Sequence, residues 1–329
     1  MQAPGKPQPA PLPVAAASAR VLKRRDNMAT RFSCIGLIGR YHDPRVVESA
    51  TVFARHLLGR GLEVLVEDHA AGVGLPPDVK PMPVDELAAR ADLIVAIGGD
   101  GTMLYAAQLV IGRSLPLLGI NRGRLGFLAD VSPPDMTSSF DAILAGEYQE
   151  DVRALLSARL ERPGMEPLSC HALNDIVIQK FETGRMVEFE TWIGGVFVNT
   201  HGGDGLVVAT STGSTAYALS CGGPIIHPRL DALVLAPISP HTLSDRPIVV
   251  GRDSEIELRL AKRSPTRAQV TFDGAVLGDL DQGCRLTVGA ARQSVTLLHP
   301  PGHDFFRILR SKLHWGRSAR HPDEGDPPC

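Results

Sequence analysis

Apolar residues follow two different rhythms along the chain. From Cys34 to Ile120, short apolar runs alternate with helically spaced ones. Cys34–Gly39 is an unbroken run of strand length, which predicts a buried strand. Val46, Ala50, Phe53 and Leu57 then recur at helical spacing. Gly59 and Gly61 end that helix, and Leu62–Val66 reads as the next strand. Asp85–Arg90 reads as helix, Asp92–Ile97 as a strand, Met103–Ile111 as helix and Leu115–Ile120 as strand. Alternation with short links predicts a parallel sheet covered by helices.

The second half has a strand rhythm. Ala172–Gln179, Met186–Ile193, Val196–Thr200, Leu206–Thr210, Ala232–Pro237, Glu255–Leu260, Gln269–Phe272 and Ser294–His299 are strand-like. Gly194-Gly195 between two of them signals a hairpin. Short strands punctuated by turns suggest an antiparallel sandwich. Asp304–Leu313 is helical again, with Phe305, Ile308, Leu309 and Leu313 on one face. That face is expected to return to the first domain, since a sandwich offers it no other cover. The expected fold is an α/β N-terminal domain with a parallel sheet, plus an all-β, sandwich-like C-terminal domain. The expected boundaries are 31–148 with 301–316 for the first and 149–300 for the second. No tandem repeat of solenoid period is present.

Composition narrows the class. The chain has 329 residues, 43% of them hydrophobic and 21% charged, so a sizeable core is possible. The net charge of −2 leaves no footprint for nucleic acid or an anionic membrane. No apolar run reaches membrane-spanning length. The five cysteines lie far apart and form no C-x-x-C pair, which argues against a disulfide framework or a structural zinc site. A reducing, cytoplasmic setting is expected. Residues 1–30, with five prolines, many alanines and then Lys23-Arg24-Arg25, read as a disordered extension, with Met28 an alternative start. Residues 317–329 read as a loose tail. His227, His241 and His299 each neighbour a proline and read as structural.

Chemistry-bearing residues gather in three places. Gly98-Gly99-Asp100-Gly101-Thr102 lies where a parallel strand hands over to a helix, the edge at which open α/β sheets bind ligands. Glycines let a phosphate approach the backbone, and the helix start supplies N–H donors. The loop is neither a Walker A loop, since no Gly-Lys-Ser/Thr follows, nor a Rossmann fingerprint, since Leu104 replaces the third glycine. A carboxylate beside phosphates repels them unless it binds a metal or takes a proton, which singles out Asp100. Asn174-Asp175 offers an amide and a carboxylate, a pairing suited to a ribose diol or, more plainly, to capping a turn. Gly202-Gly203-Asp204-Gly205 runs on through Thr210-Ser211-Thr212-Gly213-Ser214-Thr215-Ala216-Tyr217 to Gly222-Gly223-Pro224. So many glycines and hydroxyls suit the wrapping of a polar ligand, and Tyr217 can stack on a base.

In this order, and with the closing Phe305–Leu313 segment, these motifs resemble the NAD kinases of proteobacterial type, from about Ser33 to Trp315. The Thr-Gly-Ser-Thr-Ala-Tyr segment is the most specific part. The resemblance implies transfer of the ATP γ-phosphoryl group to the 2′-hydroxyl of the adenosine ribose of NAD+. It implies Mg2+, a site between the two domains, and a homo-oligomer, dimer or tetramer. By that likeness Asp100 is the candidate proton acceptor or metal positioner, within a phosphate loop of Gly98, Gly99, Gly101 and Thr102. Asn174 and Asp175 match NAD-binding positions, with Asp175 on a ribose diol. Arg185, Gly202 and Asp204 match further ligand positions. Thr215, Ala216, Tyr217, Ala218, Leu219 and Ser220 match the adenine-ribose segment, and Phe127 flanks the adenine.

The chain departs from that pattern at three positions. Ser211 stands where relatives often have Pro, which predicts a less rigid loop. Gly202 stands where many have Arg or Lys, which removes a phosphate-binding cation and leaves ATP and inorganic polyphosphate both open as donors. Ala275 replaces the Gln of a late Asp-Gly-Gln, so no ligand contact is carried to it. Two rival readings are a lipid or sphingoid-base kinase, which shares only the Gly-Gly-Asp-Gly loop, and a nucleotide-binding regulator without turnover. The regulator would be expected to lack Asp100 or the Asn174-Asp175 pair, and both are present.

Overall fold

A computed structural model describes residues 32–123, 126–181, 185–264 and 266–314. The expected extension (1–30), the expected tail (317–329) and Trp315 lie outside the described residues, as do Arg124 and Leu125. The chain opens with β1 (Cys34–Gly39), α1 (Pro44–Gly59), β2 (Glu63–Glu67), β3 (Lys80–Met82) and α2 (Val84–Arg90). Then come β4 (Leu93–Gly98), α3 (Asp100–Val110), β5 (Leu117–Asn121) and α4 (Met136–Leu144). The β-rich part holds β6 (Gln149–Glu161), β7 (Leu168–Ala172), β8 (Asp175–Lys180), β9 (Val187–Ile193), β10 (Val196–Gly203) and β11 (Gly205–Thr210). After a short helix α5 (Tyr217–Ser220) follow β12 (Ala232–Ile238), β13 (Ile248–Gly251), β14 (Ile256–Leu260), β15 (Ala268–Phe272), β16 (Ala275–Leu280), β17 (Arg285–His299) and α6 (Phe305–Leu313).

Local chemistry explains the element ends. Asp43 accepts from the Arg45 N–H at the start of α1, and Pro44 holds the first helical position. The β9–β10 hairpin turns on Gly194 and Gly195, both with positive φ, as the sequence predicts.

The strands form two sheets. β2, β1, β4 and β5 pair in parallel, and β17 continues the layer by running parallel to β5 where Leu297 meets Leu117. Antiparallel β14, β9 and β10 extend it further, while β6 and β7 branch from β17. The second sheet has the order β13-β12-β11-β8-β15-β16. One layer of the sandwich is thus the parallel sheet carried onward. The hinge of that arrangement is the pairing of β6 with β17, which run 13 and 15 residues.

Two readings of the sequence are corrected here. Residues 149–161 were given no element, and 172–179 were given one strand. Residues 149–161 are rich in Leu, Ala, Arg and Glu, which favour helix, and only pairing with β17 imposes the strand. The expected 172–179 strand breaks at Leu173-Asn174: β7 belongs to the first sheet and β8 to the second. Helix α4 and the short β3, β13 and β16 were also missed.

The core has four parts. On one face of the parallel sheet Phe53 of α1 meets Phe140 of α4 edge-on, with ring centroids 5.3 Å apart. On the other face Leu87, Met103 and Ala106 pack on Ile94 and Ala96. Leu156, Phe189, Val208 and Leu258 fill the space between the two sheets. Val207, Ala209 and Val234 cover the far side of the second sheet beneath Ala218 of α5. Each fully buried side chain of this size contributes about 1.5–3 kcal/mol.

A buried polar chain runs through the junction. Arg153 is buried and holds Asp151 through two nitrogens, at 2.9 and 2.7 Å, and Thr212 Oγ1 at 3.2 Å. His299 stands between Asp151 and Asp130, with its Nδ1 2.9 Å from Asp130 and its Nε2 3.5 Å from Asp151. His303 stacks on His299 and reaches the same Asp130 oxygen. Burial pushes both carboxyls up, but the histidine bonds and, for Asp151, Arg153 outweigh it and hold them well below the usual range. Burial pulls His299 down, and its two carboxylate partners more than restore it, so its pKa is raised.

Two results follow from this chain. Arg153→Ala strands a buried carboxylate and is expected to cost about 3–5 kcal/mol in urea unfolding. An unchanged midpoint refutes the buried pairing. The two depressed aspartates stabilise the fold above about pH 4, and that gain is lost as pH falls through their folded pKa values. The raised histidine stabilises below about pH 6.5, and its gain is lost as pH rises through its folded pKa. Stability is therefore expected to peak between those limits. In Arg153→Ala the acid limb should shift toward neutral pH.

Candidate active site

Helix α3 begins at the C-terminal edge of β4, so its free N–H groups open outward there. A Cβ on Gly98 would meet Thr102 Oγ1 at 2.2 Å, so this turn requires glycine. At Gly99 a Cβ would meet nothing, and at Gly101 only the Arg40 guanidinium comes near, at 3.8 Å. The loop is open on the side a phosphate would use.

Asp100 is the first residue of α3, and its carboxylate turns toward the chain after β5. It accepts the N–H groups of Phe127, Leu128 and Ala129 at 3.0, 3.1 and 3.4 Å. A Cβ at Gly126 would lie 2.0 Å from Asp100 Oδ1. The sequence reading gave Phe127 a ligand role. Its ring neighbours Phe305 of α6 (6.4 Å) and Lys312 (5.6 Å), and Phe305 in turn meets His227 (5.0 Å). Helix α6 therefore touches both the Phe127 segment and the chain following the Ser/Thr-rich loop.

Asn174 and Asp175 sit where the chain changes sheets. The Asn174 carbonyl accepts the Thr210 N–H at 2.9 Å, and Thr210 Oγ1 donates to the Leu173 carbonyl at 2.7 Å. Gly213 packs so closely on Asn174 that a Cβ would meet its carbonyl oxygen at 2.1 Å. Residues Gly213–Thr215 make one tight helical turn, Ala216 links it to α5, and Tyr217, Ala218, Leu219 and Ser220 form α5. Ala218 is buried beneath Gly223, while Tyr217 is over a third exposed. Burial raises the Tyr217 pKa, and Cys221, Asp204 and Asp175 add to it. Burial and the Asp273 charge push the Asp175 carboxyl up to about 7. A carboxylate so placed is short of donors, which the hydroxyls of a diol would supply.

The two halves match two family models, the ATP-NAD kinase N-terminal domain over residues 35–148 and the ATP-NAD kinase C-terminal domain over 173–299. The chain belongs to the ATP-NAD kinase family. An NAD kinase of Nitrosococcus oceani is 45% identical over 290 residues, 88% of this chain and 99% of that one. One of Methylococcus capsulatus is 44% identical over 288 residues, with the same shares. Among solved structures, an NAD kinase from Archaeoglobus fulgidus in complex with ATP aligns with TM-score 0.65 and 28% identity, over 85% of this chain and 98% of that one. Yeast NADH kinase complexed with NADH aligns with TM-score 0.80 and 24% identity, over 87% and 88%, a likeness of fold. Among the described residues no helix is long and apolar enough to cross a membrane.

The motifs do not all lie equally close. Helix α3, which starts at Asp100, is tied to the Asn174-Asp175 turn by Gln108, eight residues along, whose Nε2 donates to Asp273 at 3.2 Å and to the His171 carbonyl at 3.0 Å. Asp204 lies further out, paired with Lys180 at 2.6 Å. Arg185 is exposed at the entry to β9. A side chain at Gly202 would face Met186, just before β9, and Glu188 on β9, not the Asp100 loop. Sequence reasoning missed Arg40, Gln108, Arg153 and Lys180, which lie outside every motif, and it met Asp273 only as the first residue of the Asp273-Gly274-Ala275 triplet, with no role assigned.

The expected looseness at Ser211 is overturned. Its hydroxyl lies 2.5 Å from the Leu230 carbonyl and 3.1 Å from that of Ala232, and the residue is buried. One hydroxyl proton can serve either carbonyl, so a side-chain bond holds the turn where proline would have used its ring.

The Gly126 contact has a direct test. Gly126→Ala overfills the space beside Asp100 and is expected to destabilise by about 1–3 kcal/mol in urea. Full stability with unchanged turnover would show that the carboxylate does not need this cradle.

Proposed function

We propose that the chain transfers the γ-phosphoryl group of Mg-ATP to the 2′-hydroxyl of the adenosine ribose of NAD+, giving NADP+ and ADP. The observation that carries the assignment of roles is that Asp273 ties the Asn174-Asp175 turn to Gln108 on α3, the helix that Asp100 begins. In this reading ATP phosphates lie over Gly98, Gly99, Gly101 and Thr102, where α3 offers N–H groups. Arg40 supplies the cation beside them, a role that Gly202 cannot fill.

Asn174 and Asp175 take the ribose hydroxyls, and Thr215–Ser220 with Tyr217 and Phe127 enclose the adenosine. Asp204 and Arg185 serve the outer part of the dinucleotide, and Lys180 balances Asp204. The ATP in the Archaeoglobus neighbour supports ATP as a ligand in this reading.

Phosphoryl transfer proceeds through a loose transition state, so positioning and charge stabilisation dominate. A carboxylate is a weak base toward a ribose hydroxyl. Asp100 therefore orients the hydroxyl and accepts its proton late, once the bond to phosphorus is forming. The three backbone donors fix the direction in which its remaining lone pairs point. Among the described residues the only group of three or more potential metal ligands is Asp130, His299 and His303, and Asp100 is not part of it. In this reading Mg2+ enters as part of the Mg-ATP substrate, held mainly by phosphate oxygens. A cytoplasmic homo-oligomer, dimer or tetramer, completes the proposal. Val196, Phe197 and Val198, exposed on outermost strand β10, offer apolar surface for assembly.

The deciding assay is NADP+ formation with Mg-ATP and Mg-polyphosphate in parallel. Product from ATP alone marks an ATP-restricted enzyme. Product from both marks an enzyme of broad donor use, and product from neither refutes the proposal. Asp100→Asn is expected to lower kcat at least about 100-fold with little change in the KM for NAD+. Unchanged turnover removes Asp100 from the mechanism. Asp175→Ala is expected to raise the KM for NAD+ about tenfold or more, since a buried diol loses its acceptor. An unaltered KM counts against the ribose contact.

A further inference from the structure

Asp273 and Gly274 form the two-residue turn between β15 and β16, both with positive φ. Such a turn is stable by itself and favours Asn at least as much as Asp. The Asp273 carboxylate is used elsewhere, about a hundred residues away in sequence. Its Oδ2 accepts the Leu173 N–H at 2.7 Å and Gln108 Nε2 at 3.2 Å. Its Oδ1 accepts the N–H groups of Asn174 at 2.8 Å and Asp175 at 3.3 Å. The Asp273 N–H returns a bond to the Asp175 carbonyl at 3.0 Å. All four donors lie at the sheet crossing or on the helix that starts at Asp100.

We propose that Asp273 is a positioning residue for NAD+, fixing the Asn174-Asp175 turn against helix α3. The proposal rests on the reading of Asp175 as the ribose acceptor. Four donors on one carboxylate set the turn's direction, and the negative charge of Asp273 also faces the Asp175 carboxylate. The other titratable groups facing Asp175 are Tyr217 and Cys221, from α5 and its end. Asp273 is itself faced by Cys170 of β7. Burial raises Asp175, and the Asp273 charge raises it further, to about 7. Ribose hydroxyls donate to the ionised form, so affinity for NAD+ should rise as pH increases through that value.

Asp273→Asn keeps the turn and removes the charge and one acceptor oxygen. Two measurements on the whole protein test it. Amide hydrogen exchange by mass spectrometry, without ligand, is expected to show about tenfold faster exchange in the segment 172–175. At pH 8.5 the KM for NAD+ is expected to rise about tenfold, with kcat within about threefold. The midpoint of the KM–pH profile should move about one unit toward acid, because a neighbouring negative charge is gone. A merely structural loss would leave that midpoint in place. Unchanged exchange, or an unshifted midpoint, overturns the proposal.

Asp175→Ala, run alongside, separates the two ideas. If it raises the KM and Asp273→Asn does not, the positioning role is wrong. If it leaves the KM unchanged, the ribose reading is wrong, and the role built on it falls as well. Should Asp273→Asn fail to fold, Gln108→Ala removes one donor only. It is expected to raise the KM about threefold, and no change overturns the proposal.

Discussion

Where the chain leaves one sheet for the other, its backbone must find hydrogen-bond partners outside both ladders. Leu173, Asn174 and Asp175 lie at that crossing, and one buried carboxylate, Asp273, accepts all three N–H groups. Unpaired buried N–H groups are expensive, so the crossing exists only because this acceptor reaches it. The Asn174 carbonyl is met by Thr210 and the close approach of Gly213, so the glycine- and hydroxyl-rich loop is seated on the same point. The geometry of the candidate site in the β-rich half is built outward from there.

The same junction carries two polar systems of opposite character. Asp130, His299, Asp151 and Arg153 alternate in sign, so their burial is compensated pair by pair. Asp175 and Asp273 share one sign, and burial raises both. The first system fastens β6 and β17 to the Ser/Thr-rich loop through Thr212. The second leaves a carboxyl poorly satisfied at the surface of the site. An arrangement that costs stability without a ligand is what a binding position for hydroxyl donors requires.

Continuity of the large sheet explains how two regions of different rhythm act as one. β17 pairs with β5 on one side and with β14 and β6 on the others. The strand that ends the β-rich part therefore lies beside the parallel strands that present the Gly98–Thr102 loop. Helix α6 follows directly, with Phe305 between Phe127 and His227.

The sequence by itself determined the local grammar. The strand–helix alternation to Ile120, apart from the short β3, and the Gly194-Gly195 hairpin were readable, because each depends on neighbours within a few residues. The Gly98–Thr102 loop, the Asn174-Asp175 pair and the segment to Pro224 were readable for another reason: such residue types are unusual as scaffold. What tertiary structure decided was long-range. It made a strand of 149–161 against its helical composition and split 172–179 between two sheets. It gave Ser211 the rigidity its residue type did not promise. It also brought Gln108, Arg153 and Asp273 to motifs far away in sequence. Gln108 and Arg153 carry no local signature, and the Asp273-Gly274 turn shows only itself, because their roles depend on hydrogen bonds to partners some 60 to 165 positions distant.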